Sequence, residues 1–254
     1  MVVINDLTSM KKNNFDEVVS SIACYLKPDV LKDEYKQFVD SGNFKIKEVD
    51  KYFELLTSIG YFYKKLIKYE VYFRDFYPTK KTITEHEALW HHINAYLEDI
   101  DIFRNKCTSF LNILKRDLKS FASNKNEIDD LYKHLVTMTE KVFKQVKEHR
   151  HPHHHKGNRF LDPDLISADG LFVILQDECG LKSKFNIDDK IVEARRQVLF
   201  EKSKQRWINT AKKNGEALDG FLDDIFGRIK NHLYQYLNIK PLEEIVKKKQ
   251  LKNN

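Results

Sequence analysis

Apolar side chains recur every three or four residues over most of the chain, the spacing that puts them on one face of an α-helix. The first such pattern predicts a helix over about residues 15–26, and Pro28 at a first-turn position predicts another over about 29–39. The next pattern predicts one long helix that ends near Pro78 and has the stripe Tyr52, Leu55, Ile59, Phe62, Leu66, Tyr69, Phe73 and Phe76. Because only eight Gly and five Pro interrupt the chain, we expect long helices with short connections.

Two later helices begin with the sequence of a capping box, in which a polar side chain bonds the N–H three residues on and an acidic side chain bonds back. The two pairs are Thr84 with Glu87 and Asn124 with Glu127. The first pair predicts a helix with an apolar stripe from His86 to Phe121, and the second predicts a helix with a stripe from Ile128 to His149. We expect the two long helices before Phe121 to pack as an antiparallel hairpin.

The C-terminal third also shows helical spacing. The apolar run from Leu171 to Leu175 is assigned to a helix, and two further helices are expected over about 189–213 and 216–238, with a break near Asn214-Gly215. The sequence therefore predicts an all-α protein, an up-and-down helical bundle with long antiparallel helices. We expect a bundle over residues 1–180 and a basic helical extension over 181–254, packed on the same domain.

Charge is unevenly distributed along the chain. The net charge is +6, but residues 190–254 hold fifteen Lys and Arg against eight Asp and Glu, so this part alone carries +7. A partner that bears phosphates or carboxylates would therefore meet the C-terminal third. The alternative interpretation is a solvated helix face with no partner.

The location of the protein is predicted from what the sequence lacks. The longest apolar run, Leu171 to Leu175, is far shorter than the ~20 residues that a membrane-spanning helix needs, and the first residues do not form a secretion signal. Cys24, Cys107 and Cys179 are odd in number and widely separated, which argues against a disulfide framework. We therefore expect a cytoplasmic protein without a membrane partner.

A first histidine cluster lies near the start of the second long helix. His86-Glu87-Ala88-Leu89-Trp90 resembles a zincin helix at first sight, but that motif needs a second histidine at position 90. His86 also falls on the apolar stripe, where a histidine is more often a hydrogen-bonded core residue than a metal ligand. We therefore predict no metal site here.

A second cluster, residues 148–155, carries the clearest chemical signal in the sequence. It contains Glu148, Arg150, His151 and His155, and four residues separate the arginine from His155. Cleavage of RNA through its own 2′-hydroxyl needs a group near neutral pKa to move protons and a fixed cation to stabilise the phosphorane-like transition state. Histidine and arginine suit these two roles.

This arrangement resembles the signature of HEPN-domain ribonucleases, an Arg followed after four to six residues by His, with a polar residue after the Arg. The resemblance covers the motif and the general architecture over roughly residues 45–180. It implies that His155 transfers protons, that Arg150 stabilises the phosphate, and that His151 and Glu148 orient them. It further implies RNA as substrate, no metal or other cofactor, and a homodimer in which two motifs line one site.

Two other interpretations of the chain stay open. The five histidines between positions 149 and 155 are also typical of a transition-metal site, and a helical scaffold without catalytic activity would need none of them. If RNA is the substrate, its phosphates are expected to contact the basic helix through Arg195, Arg196, Lys202, Lys204 and Arg206.

Overall fold

The fold is all-α, as predicted, and its helices pack against one another as a bundle. A computed structural model describes residues 13–26, 45–79, 82–121, 124–144, 162–177, 180, 184, 188–244 and 246–247. Within these ranges there is no strand, and the helices are α1 (Asn14–Tyr25), α2 (Ile46–Ile67), α3 (Tyr69–Asp75), α4 (Glu85–Phe121), α5 (Lys125–Val142), α6 (Pro163–Gln176) and α7 (Asp189–Leu237). None of the helices in the described ranges is both long and apolar enough to cross a bilayer.

The helix starts follow the predicted capping residues. The Thr84 Oγ1 accepts from the Glu87 backbone N–H at 3.2 Å, and the Glu87 carboxylate accepts from the Thr84 N–H at 2.7 Å. At α5, the Asn124 Oδ1 accepts from the Glu127 N–H at 3.3 Å. The capping box at Thr84 is therefore confirmed, whereas at Asn124 the Glu127 carboxylate accepts from the side-chain amide of Asn124 at 3.1 Å. The helix predicted over about 29–39 and the end of the stripe at His149 lie outside the described residues.

One helix was predicted up to Pro78, and this prediction is wrong in two respects. The chain makes a turn at Lys68, whose N–H donates to the Lys65 carbonyl three residues back at 3.2 Å, and this turn separates α2 from α3. Phe76 follows the end of α3 with ψ 74°, outside the helical region, and is 67% exposed. Because the helical period no longer applies beyond Asp75, Phe76 does not belong to the core.

The predicted break at Asn214-Gly215 does not occur, since α7 runs without interruption from Asp189 to Leu237. The Asn214 amide donates to the Tyr96 hydroxyl at 2.8 Å, and Tyr96 is buried. Gly215 lies against Ile67, where a Cβ would meet the side chain at an ordinary 3.7 Å. These tertiary contacts outweigh a glycine penalty of about 1 kcal/mol in a helix interior. The apolar run from Leu171 to Leu175 lies within α6, as predicted.

The chain forms two compact units, each assembled from separate stretches of sequence. The first comprises Met1–Tyr61, Asn105–Thr139 and Ala217–Asn254, and the second comprises Phe62–Arg104 and Glu140–Glu216. In both units, parts of the chain that are distant in sequence pack together. The predicted division into residues 1–180 and 181–254 stays a prediction.

The first unit is held together where α1 meets α7. Asn14 donates to the Asp223 Oδ1 from its backbone N–H at 2.8 Å and from its side-chain amide at 2.7 Å. Gly227 makes this approach possible, because a Cβ at that position would lie 3.1 Å from the Asn14 Nδ2. Beneath this contact the Phe226 ring packs against Phe15 at 4.9 Å and Phe110 at 5.5 Å between centroids.

The second unit has an aromatic core. The Phe73 ring lies 5.6 Å from Tyr96 and 5.9 Å from Trp207, between centroids, so that α3, α4 and α7 share one apolar centre. The buried Asp99 accepts hydrogen bonds from the Tyr69 hydroxyl and from the Lys65 Nζ at 2.8 Å.

Candidate functional site

The four predicted catalytic residues, Glu148, Arg150, His151 and His155, lie outside the described residues. The residues that flank them are described on both sides. Before the motif, Phe143 is buried against Phe103, and the Glu140 carboxylate pairs with Arg104 at 3.4 Å. After the motif, the next described residue is Asp162. Both flanks belong to the second compact unit.

Asp162 caps α6 and is 1% exposed. One carboxylate oxygen accepts from the backbone N–H groups of Asp164 and Leu165, each at 3.1 Å. The other accepts from the Trp207 Nε1 at 2.8 Å and from the Arg206 guanidinium. Burial alone would raise the pKa of this carboxyl, but the hydrogen bonds from Arg206 and Trp207 hold it below its ordinary value. Asp162 is therefore an ionised and fully bonded anchor between α6 and α7.

Asp164, in the first turn of the same helix, binds two cations of α7. Its Oδ1 lies 3.0 Å from the Lys202 Nζ and its Oδ2 lies 2.7 Å from the Arg206 guanidinium. The hydrogen bond from Lys202 is the main reason why the pKa of Asp164 is lowered. We call this group the Asp162–Asp164 cluster; its members are Asp162, Asp164, Lys202, Arg206 and Trp207. Two of the five predicted RNA-binding residues, Lys202 and Arg206, thus already pair with carboxylates of this cluster.

The five predicted RNA-binding residues do not share one side of α7. At about 100° per residue, Lys202 and Arg206 lie within about 20° of Arg195, and the exposed Lys213 lies directly below them. We call Arg195, Lys202, Arg206 and Lys213 the basic face. It extends over about 27 Å of helix. Lys213 was not predicted from the sequence, although its spacing of seven from Arg206 could have identified it.

The other two residues have different surroundings. The Arg196 guanidinium lies 4.9 Å from the centre of the Phe172 ring and bonds the Glu193 carboxylate at 3.2 Å. Lys204, on the side of α7 opposite Arg195, lies with its Nζ 4.5 Å from the centre of the Tyr77 ring. Both cations are therefore engaged within the second unit.

His86 is buried, as its place on the stripe predicted. Neither ring nitrogen has a hydrogen-bond partner among the described residues, and the ring stacks on Phe200 at 4.7 Å. Its Nδ1 lies 3.8 Å from an oxygen of Asp169, whose other oxygen accepts from the Trp90 Nε1 at 2.9 Å. Burial lowers the pKa of His86, and the nearby Arg196 lowers it further. At neutral pH the ring is therefore uncharged, and the contact with Asp169 is not an ion pair.

In the described ranges, no three His, Cys, Asp or Glu side chains are grouped in a way that could hold a metal ion. The sequence pattern did not indicate that Asp162, Asp164 and Asp169 would converge with α4 and α7, because these contacts join residues about 38 to 79 positions apart. Comparison with protein-family models, with curated proteins and with solved structures finds no match for this chain.

Proposed function

We propose that this chain is an endoribonuclease that cleaves RNA without a metal ion, in the manner of HEPN ribonucleases, with Arg150 and His155 as its catalytic pair. The observation that carries the proposal is the spacing of these residues in the sequence, an arginine followed after four residues by a histidine. His153 and His154 come too soon after Arg150 to meet that spacing.

The chemistry assigns a role to each residue. The 2′-hydroxyl oxygen of RNA bonds to the adjacent phosphorus while His155 accepts the hydroxyl proton, and the bond from phosphorus to the 5′-oxygen breaks as His155 returns a proton to that oxygen. Arg150 stabilises the negative charge that develops on the phosphoryl oxygens. Glu148 and His151 orient the pair.

Two features of the second unit support this proposal. The described residues on both sides of the motif belong to the same compact unit as the basic face of α7. Cations at intervals along one helix face suit the phosphates of a nucleic-acid strand. We further propose that two copies pair so that their motifs line one site, and that the protein acts on RNA in the cytoplasm.

The test is cleavage of single-stranded RNA in the presence of a chelator by protein that carries no polyhistidine tag. We expect the wild-type chain to cut RNA, and we expect Arg150→Ala and His155→Ala to lower the rate at least about 100-fold, because each removes an acid–base or electrostatic contribution of that size. His153→Ala is the matched control, because it removes an imidazole from the same cluster at a spacing that does not fit the motif. This variant should retain activity.

Equal cleavage by wild type, Arg150→Ala and His155→Ala would contradict the proposal, as would a wild-type chain that cuts no RNA. Activity that chelator abolishes and zinc restores would instead favour a metal site formed by the histidine cluster.

A further inference from the structure

Lys202, a cation of the basic face, projects into solvent and yet has a carboxylate partner. Its side chain is 66% exposed, whereas that of its partner, Asp164, is 11% exposed. Arg206, which binds the other oxygen of Asp164, is 41% exposed. A ligand could therefore reach both cations from solvent without any unfolding of α7.

The two acidic residues of the Asp162–Asp164 cluster do not have the same role. Asp162 bonds two backbone N–H groups and the Trp207 indole, so it cannot leave without uncapping α6. Among the described residues, the carboxylate of Asp164 accepts side-chain hydrogen bonds only from Lys202 and Arg206. It can therefore turn away while Asp162 still holds Arg206 and the helix end.

A carboxylate and a phosphodiester each present two oxygens and one negative charge, and Arg and Lys bind both. We propose that Lys202 and Arg206 form a phosphodiester-binding site that the chain's own Asp164 fills in this structure, so that RNA must displace Asp164 to bind there. The inference rests on the proposed function for the identity of the ligand. It also makes Asp164 an internal competitor that weakens RNA binding.

The competition has a consequence for Lys202. While Asp164 neutralises it, removal of the Lys202 charge should hardly affect RNA affinity. Once Asp164 is replaced by a neutral residue, Lys202 becomes an additional phosphate contact, and its removal should then weaken binding. The effects of substitutions at 164 and 202 are therefore expected to be coupled.

The experiment measures binding of a fluorescently labelled single-stranded RNA by anisotropy over a range of salt concentrations, in a His155→Ala background so that the RNA is not cut. Asp164→Asn should bind roughly three to ten times more tightly at low salt. The salt slope, which is the slope of the logarithm of affinity against the logarithm of salt concentration, should become steeper by about 0.7. Lys202→Ala alone should change affinity less than about twofold, and in Asp164→Asn it should cancel the gain. Asp164→Ser is a second neutral variant that should show the same gain, and circular dichroism checks that each variant is folded.

Glu201→Gln is the matched control, because it removes one negative charge from an exposed position of α7 away from the basic face. A gain with Glu201→Gln equal to that with Asp164→Asn would show a general charge effect and overturn the proposal. An equal effect of Lys202→Ala in both backgrounds, or no RNA binding by any variant, would also overturn it. If the substitutions at 164 and 202 affect RNA binding as expected, but the chain that retains His155 does not cleave RNA, the proposed ribonuclease activity is contradicted and the binding site is not.

Discussion

His86 lies in the second unit, where neither ring nitrogen is hydrogen-bonded to a described residue and Asp169 is 3.8 Å away. Buried polar groups usually have a partner, and a charged imidazole would cost more to bury than a neutral one. Of the charged groups around it, Arg196 lowers the pKa of His86, whereas Asp169 and Glu193 raise it. Burial outweighs these carboxylates and keeps the ring neutral.

The lowered pKa of His86 predicts how stability depends on pH. The unfolded chain binds a proton at this histidine near pH 6.5, but the folded chain does not, so stability is lost as the pH falls below about 6.5. We expect the Tm of the wild-type chain to fall between pH 7.5 and 5.5, and to fall less in His86→Phe, which keeps the stacking on Phe200. Differential scanning fluorimetry at the two pH values measures this.

The control for this experiment is His134→Gln, an exposed histidine whose substitution should leave the pH dependence of Tm unchanged. The buried Asp162 and Asp164 do not interfere, because their pKa values are lowered and both stay ionised throughout this pH range. If His86→Phe loses as much Tm as the wild-type chain, the neutral state of His86 is not the cause.

At the scale of the helices, the sequence predicted features that depend on neighbouring residues and missed features that depend on contacts between distant residues. The caps at Thr84 and Asn124 were predicted correctly because each depends on residues three positions apart. The break expected at Asn214-Gly215 was wrong because the Asn214 contact with Tyr96 joins residues 118 positions apart. Phe76 was misplaced because a helical period gives no sign of where the helix ends.

The continuity of α7 gives a prediction about its glycines. Gly215→Ala should stabilise the protein by about 0.5–1 kcal/mol, since alanine favours the helix and the new Cβ would meet Ile67 at an ordinary 3.7 Å. The free energy of unfolding in urea measures this gain. Gly227→Ala is the comparison in the same helix, where a Cβ would lie 3.1 Å from the Asn14 Nδ2 and disturb its bonds to Asp223. An equal gain at both positions would show that packing at Gly227 does not matter.

On the scale of the whole molecule, the sequence indicated the sign and position of the charge but not its arrangement. Residues 190–254 carry an excess charge of +7. In the structure, however, Lys202 and Arg206 pair with carboxylates from α6, and Lys204 lies over the Tyr77 ring. Such pairings depend on which helices pack together, which no spacing along one helix discloses. Arg195 and Lys213 are exposed and have no carboxylate partner among the described residues.

This arrangement predicts which cations contribute to RNA binding. Arg195→Ala and Lys213→Ala should each weaken binding irrespective of RNA sequence and reduce the salt slope by about 0.7, as expected when one phosphate contact is lost. Lys204→Ala removes the same charge from the opposite side of α7 and should leave both quantities unchanged. Anisotropy titrations at several salt concentrations measure them, and equal losses in all three variants would argue against a defined basic face.

The burial of Asp162 also has a practical consequence. Because Asp162 is 1% exposed, mobile ions screen its bonds to Arg206 and Trp207 weakly, whereas they screen the exposed Arg195 and Lys213 of the basic face strongly. An increase in ionic strength should therefore dissociate bound nucleic acid from the protein while the contact between α6 and α7 is maintained. Co-purified RNA could thus be removed by a high-salt wash that leaves the protein folded.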